Sequence, residues 1–249
     1  MNVVFERTKG LVDCPMHYCS GCSHGIAHRL VAECLEELSV LGKTVHVSPV
    51  GCAVMAYQYF NCDGIQAAHG RAPAVATGLK RANPDSIVFT YQGDGDLAAI
   101  GSAEMLHAAA RGENITIIFI NNAIYGMTGG QMAPTTLPGQ KTHTSPYGRD
   151  VEQAGHPMKV CELLSSLEGS AYLERVAVDT VKNINAAKTS IKKAFEVQIA
   201  KKGFSLIEIM GICPTNWGLN VQESLDWMQK NLLPFYPLGV YKDKTKGGK

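Results

Sequence analysis

The run at residues 115–120, Ile-Thr-Ile-Ile-Phe-Ile, is apolar at nearly every position. A strand with two apolar faces must be covered on both, and a parallel sheet between layers of helix does that. Runs at 86–91 and 204–209 share this character, and 44–48 is a shorter β-like run. Segments of helical period lie between them. Residues 23–38 end before Gly42, and residues 72–82 carry Pro73 in the first turn and stop at Asn83-Pro84. Residues 102–111 are closed by Gly112, and residues 183–202 by Gly203. Proline near a helix start and glycine past its end are the expected punctuation. The alternation predicts an α/β fold: an open, mainly parallel sheet with helices on both faces. A chain of 249 residues accommodates one such domain, and we find no internal repeat or linker. Residues 126–157 are rich in Gly, Pro, Thr and Gln without a period, as in a functional loop or lid. Residues 242–249 read as a solvated tail.

Lys and Arg number 23 against 22 Asp and Glu, a net charge of +1. This balance argues for no nucleic-acid partner and no polybasic contact with a membrane. No apolar run is long enough to span a bilayer, and residues 1–10 lack the apolar core of a signal peptide. A cytoplasmic location is therefore expected, where thiols stay reduced. The 8 cysteines then read as metal ligands, reactive groups or packing residues rather than disulfides.

Gly93-Asp94-Gly95-Asp96-Leu97-Ala98 follows one strand and precedes a helix. Its spacing fits a loose dinucleotide fingerprint, G-x-G-x-x-A, and equally a Gly-rich turn. Two carboxylates in a loop meant to face a pyrophosphate would repel it unless a cation lay between them. The next strand ends not in a ribose-binding acid but in Asn121-Asn122. An Asp and an Asn at neighbouring strand ends suit Mg²⁺, a hard cation that is often completed by phosphates. This arrangement resembles the thiamine diphosphate fold, whose motif is G-D-G followed one strand later by Asn-Asn. The resemblance implies that Asp94 and Asn122 ligate Mg²⁺, with the carbonyl of Ile124 as a third ligand.

Cys19-Ser20-Gly21-Cys22 is open to several readings: zinc, with His17 and His24 nearby; a redox pair; an iron–sulfur cluster; or packing. Gly51-Cys52 and Cys213-Pro214-Thr215 follow strands, which places two further thiols at the sheet edge carrying Asp94 and Asn122. Six motifs occur in order: C-x-x-C-Ser at 19–23, Gly51-Cys52, His69-Gly70-Arg71, Gly93 to Asp96, Asn121 to Thr128, and Cys213 to Thr215. Over nearly the whole chain this is similar to the β subunit of a 2-oxoacid:ferredoxin oxidoreductase. The resemblance implies that Cys19, Cys22, Cys52 and Cys213 hold one 4Fe–4S cluster. It leaves Cys14, Cys34, Cys62 and Cys161 without a role, and Cys34 reads as helix core. It also implies cofactor contacts at Gly51, Cys52, His69, Gly70, Gly93, Gly95 and Asp96, and at Tyr125, Gly126, Met127 and Thr128. Arg71 reads either as a phosphate partner or as a helix-start charge. Gly126, Gly129 and Gly130 would let backbone amides approach anionic groups. Where Gly130 stands, some family members carry a Lys thought to meet the substrate carboxylate.

The resemblance further implies oxidative decarboxylation of a 2-oxoacid to acyl-coenzyme A and CO₂, with electrons passed to ferredoxin. The cofactor-activating Glu usually belongs to a separate α/β domain, for which this chain has no room. A pyrimidine-domain α subunit and further γ- and δ-like subunits are therefore expected as partners. No C-x-x-C-x-x-C-x-x-x-C-P run occurs, so ferredoxin-like clusters belong to those partners. No side chain is assigned as general base, because the cofactor carries the hard chemistry. Departure from Lys at Gly130 leans toward branched-chain 2-oxoacids or 2-oxoglutarate. The rival readings are a nonoxidative thiamine-dependent decarboxylase subunit, a noncatalytic zinc-stabilised interaction subunit, and a nicotinamide dehydrogenase.

Overall fold

A computed structural model describes residues 6–245. Residues 1–5 of the N-terminal segment and 246–249 of the expected tail lie outside the described residues. The chain runs α1 (His24–Glu37), β1 (Thr44–Ser48), β2 (Asp63–Gln66), α2 (Ala72–Ala82), β3 (Ile87–Gly93), α3 (Ser102–Ala110) and β4 (Thr116–Asn121). It continues through α4 (Val151–Ala154), α5 (Val160–Ser165), β5 (Ser170–Ala177), α6 (Val181–Ile199), β6 (Phe204–Met210), α7 (Pro214–Trp217), α8 (Val221–Trp227) and β7 (Gly239–Asp243).

The strands form one sheet in the order β2-β1-β3-β4-β6-β5-β7. All pairings are parallel except β5 with β7. Side chains alternate between two apolar cores, as the pleat requires. Phe89, Tyr91, Ile118, Ile120, Ile207 and Ile209 pack on α1 and α6 through Val31, Leu35, Ile191 and Phe195. Val88, Ile117, Phe119 and Leu206 pack on α2, α3 and α5 through Ala76, Met105, Ala108 and Leu164. The open α/β sheet with helices on both faces is thus as the sequence predicts, and its near-continuous apolar strands are its cause.

Three strands escape the sequence reading. β2 is wholly exposed, so no apolar signal marks it. β5 carries Glu174 and Arg175 in its middle, which reads as surface although Arg175 is fully buried. β7 contains Lys242 and Asp243, so the tail expected from residue 242 begins inside the sheet. Lys242 Nζ donates to the carbonyls of Ser165 and Leu167, at 3.0 and 2.7 Å, and Lys193 pairs with Asp243 at 2.5 Å.

The long segment 126–157 is a packed loop. Arg149 draws it together, its guanidinium donating to the carbonyls of Ala133, Pro134, Thr136, Ala154 and Gly155 at 2.8–3.2 Å. Among the described residues no helix is long and apolar enough to cross a membrane.

Candidate functional site

From β1 the sheet grows outward to β2, and the chain then crosses back over β1 to β3. A crevice opens at the carboxyl ends of strands where the winding direction reverses, and ligands of open α/β sheets bind there. The loops after β1, β3 and β4 enclose a cavity of about 120 Å³ at this place. Pockets that surround a whole ligand span roughly 300–1,000 Å³, so this chain walls only part of one.

Asp94, at the end of β3, is 3 % exposed. Its Oδ1 accepts from Gly95 N at 3.0 Å. Its Oδ2 accepts from Ile124 N at 3.1 Å and from Thr135 Oγ1 at 2.8 Å. Burial pushes its pKa up to about 7 against the pull of those bonds. Asn122 lies one strand away, and its buried side-chain oxygen has no hydrogen-bond partner. A buried amide oxygen left unpaired costs about 1–3 kcal/mol. An oxygen-seeking cation beside Asp94 would satisfy it. Between Asn122 and Ile124, Ala123 adopts φ 57°, a left-handed conformation that L-residues avoid. Its carbonyl is held by Thr136 Oγ1 at 2.7 Å and Gln140 Nε2 at 3.3 Å.

Residues 95–100 form a single turn of π-helix, closed by Gly101 N donating to Asp96 O at 3.0 Å. Such turns are frequent at functional sites. Asp96 faces neighbouring loops. Its Oδ1 accepts from His69 Nδ1 at 2.7 Å, from Gly70 N at 2.9 Å and from Val50 N at 3.2 Å. Gln92 Nε2 donates to Oδ2. Asp96 therefore organises the cavity wall, and His69 reaches the cavity with Nδ1 already engaged. Arg71 is set apart: it pairs with Glu104 of α3 and does not line the cavity.

Gly95 packs against the ring of Tyr125, and a methyl group there would overlap that ring. Gly95→Ala is expected to displace Tyr125 and cost about 1–3 kcal/mol, read as a lowered thermal midpoint. Met127 is 56 % exposed and lines both this cavity and the next. Thr128 donates to Gln131 Oε1 while also lining the first cavity.

The second cavity, of about 360 Å³, brings together Cys19, Cys22, Cys52 and Cys213. A Cβ built on Gly126 would lie 3.0 Å from Cys52 Sγ and 3.7 Å from Cys213 Sγ. The Cys19–Cys22 turn closes through Cys22 N donating to Cys19 O at 3.0 Å. It is anchored to the end of β6 by Ile212 N donating to Ser23 Oγ at 2.9 Å. Burial pushes the Cys22 thiol up to about 11 and Cys52 up to about 12, and raises Cys213. Their mutual repulsion adds to this, as expected of thiolates gathered with no cation between them. Cys34 is buried in the α1 core, Cys161 in the opposite core, and Cys14 and Cys62 do not line the cavity.

Sequence reasoning misses Thr135, which bonds Asp94, and Trp217, whose Nε1 donates to Asn122 O at 3.2 Å. It misses Asn216, whose Nδ2 donates to Gly126 O at 2.7 Å and to Cys213 Sγ at 3.4 Å. Only Asn216 has a local signal, one turn beyond Cys213. His24, which the zinc reading of the Cys19–Cys22 turn brings in, is 3 % exposed, lines the first cavity, and stacks on Tyr18 of the second at 4.6 Å.

Residues 49–209 match the thiamine pyrophosphate enzyme C-terminal TPP binding domain. The chain is 47 % identical over 242 residues to the ketoisovalerate oxidoreductase subunit VorA of Methanothermobacter thermautotrophicus, which is 97 % of this chain and 51 % of that protein. It thus spans about half the length of that relative. It is 42 % identical over 205 residues to the 2-oxoglutarate synthase subunit KorB of Methanocaldococcus jannaschii, covering 82 % of this chain and 72 % of that protein. Among solved structures it is similar to 2-oxoglutarate:ferredoxin oxidoreductase from Magnetococcus marinus, solved with 2-oxoglutarate, coenzyme A and succinyl-CoA bound. The TM-score is 0.81 at 26 % identity, over 95 % of this chain and 84 % of that one.

Proposed function

The chain belongs to the thiamine pyrophosphate enzyme family, among the β-type subunits of 2-oxoacid oxidoreductases, and on that premise we propose that it is the diphosphate-binding, electron-accepting subunit of a 2-oxoacid:ferredoxin oxidoreductase. The observation that carries this reading is a juxtaposition. The unpartnered Asn122 oxygen and buried Asp94 share a cavity wall with Cys52, which also faces the four-cysteine cavity.

Asp94, Asn122 and the Ile124 carbonyl would hold Mg²⁺, and the glycine-rich turn from Gly126 to Gly130 would admit the diphosphate. Bound there, thiamine diphosphate supplies the electron sink for decarboxylation and Mg²⁺ ties its phosphates to the protein. Asp96 fixes Val50, His69 and Gly70 in the wall, and Gly95 gives Tyr125 its place. Cys19, Cys22, Cys52 and Cys213 would hold one 4Fe–4S cluster in the adjoining cavity. Among the described residues no three His, Cys, Asp or Glu side chains are close enough to share one metal ion.

The first cavity has no Lys or Arg in its walls. Gly130 has φ 87°, and a Cβ on it would lie 3.2 Å from Asn216, so a side chain at this position would be strained. Among the described residues no Lys or Arg is placed at the first cavity to meet a second substrate carboxylate, which favours a branched-chain 2-oxoacid. The small, open cavity calls for a pyrimidine-domain α subunit to cover it. γ- and δ-like subunits, coenzyme A and ferredoxin complete the proposed assembly.

The test is anaerobic purification with all partner subunits and ferredoxin-reduction assays across a 2-oxoacid panel with coenzyme A. The complex is expected to prefer 2-oxoisovalerate, and the chain alone, with Mg²⁺ and thiamine diphosphate added, to be silent. Turnover by the single chain would refute the subunit assignment.

A further inference from the structure

Two runs of side-chain contact leave Arg175, one ending on Asp94 and the other on Ala123, the neighbour of Asn122. Arg175, on β5, is 0 % exposed, as is Glu208 opposite it on β6. Arg175 Nε donates to Glu208 Oε2 at 2.9 Å. The other carboxylate oxygen of Glu208 accepts from Asn121 Nδ2 at 2.8 Å. Asn121 Oδ1 in turn accepts from Ala123 N at 3.1 Å. This first arm therefore pins the left-handed residue that separates Asn122 from Ile124. Alanine does not hold such a conformation unaided, so the surrounding bonds must impose it.

The second arm runs through an aromatic ring. The Arg175 guanidinium lies 5.1 Å from the centroid of Tyr236. Tyr236 OH donates to the carbonyl of Thr135 at 2.7 Å. Thr135 Oγ1 donates to Asp94 Oδ2 at 2.8 Å. On the outer side, Arg175 also binds Glu162 of α5 at 2.6 Å, Pro237 O at 3.2 Å and Tyr241 at 2.5 Å. The guanidinium thus ties α5 and the C-terminal segment to the metal loop. Asp94 apart, none of these residues lines either cavity.

We propose that Arg175 and Glu208 are positioning residues for the Mg²⁺–diphosphate loop, acting on Asn122 through Asn121 and on Asp94 through Tyr236 and Thr135. This rests on the reading of Asp94 and Asn122 as ligands. Outer-shell partners of this kind typically change metal affinity by ~10–100-fold when removed. A buried ion pair retained only for packing would not move that quantity.

Each arm can be cut without replacing Arg175 or Glu208, by Asn121→Ala and by Tyr236→Phe. The second removes one oxygen and keeps the ring under Arg175, so it remains informative should the first variant fold poorly. In the assembled complex, the Mg²⁺ dependence of thiamine diphosphate binding is followed by calorimetry, beside thermal unfolding. Each variant is expected to raise the Mg²⁺ requirement by ~10–100-fold, with kcat recovering as Mg²⁺ is raised to saturation. Unchanged Mg²⁺ requirement in both variants, with Asp94→Ala still losing the cofactor, would overturn the positioning role alone. Unchanged binding in Asp94→Ala as well would overturn both that role and the ligand reading beneath it.

Discussion

Asp94→Ala is expected to lower Mg²⁺-dependent thiamine diphosphate affinity by at least about a hundredfold, beyond the ~10–100-fold typical of outer-shell partners. Asp94 is the one carboxylate in the proposed set of protein oxygen ligands, and neutral Asn122 and a carbonyl cannot replace its charge. Its environment also sets a pH signature. Burial raises the folded pKa to about 7, above the ordinary value of 3.8. A carboxyl raised on folding contributes stability that is fully present below the unfolded pKa and lost as pH rises through the folded one. The metal-free protein should therefore lose stability from this group between about pH 4 and 7. Bound Mg²⁺ should cancel the loss, and Asp94→Ala should flatten it. Thermal midpoints across that range, with and without Mg²⁺ and cofactor, measure all three effects. A wild-type profile indifferent to Mg²⁺ would remove Asp94 from the metal site.

Replacing Cys19, Cys22, Cys52 or Cys213 by alanine is expected to strip most of the iron from this chain and to end ferredoxin reduction. Each thiolate would hold one iron of a shared cluster, so losing one uncouples the set. Cys52→Ala should also weaken cofactor binding, because Cys52 lines both cavities. Cys34→Ala should leave iron unchanged, since its thiol is buried in the α1 core and donates to Lys188 O at 3.3 Å. Cys161→Ala should likewise cost only packing, on the order of 1 kcal/mol. Iron analysis of the anaerobic variants separates the two groups. Equal iron in Cys213→Ala and wild type would break the assignment.

The central sheet is legible because its strands are apolar on both faces, a pattern with few folded solutions. Pro73 and Gly112 mark helix ends by backbone chemistry alone, and the structure places α2 and α3 accordingly. β5 is hidden because sequence cannot show that Arg175 meets Glu208 in the interior. A lone charge there would be excluded, and the distant partners Glu208 and Glu162 make it tolerable. The loop carboxylates are also only half legible. Asp94 and Asp96 look alike in Gly93-Asp94-Gly95-Asp96, yet the π-turn between them aims them at different neighbours. Asp94 meets the β4 loop, while Asp96 gathers Val50, His69 and Gly70. Arg71 and Glu104 pair at long range, so the charge in His69-Gly70-Arg71 carries no sign of where it goes. Thr135 and Trp217 lie just beyond the Asn121–Thr128 and Cys213–Thr215 motifs, and the fold alone decides which atoms they bond.

The proposed function turns on an electron-accepting iron–sulfur cluster held by this chain beside its thiamine diphosphate site. The most direct measurement is the metal content of the anaerobically purified complex, compared between wild type and Cys213→Ala. The account predicts a loss of about four iron atoms per copy of this chain, with zinc absent from both and thiamine diphosphate retained. About one zinc per chain, or an iron content unmoved by the substitution, would contradict it.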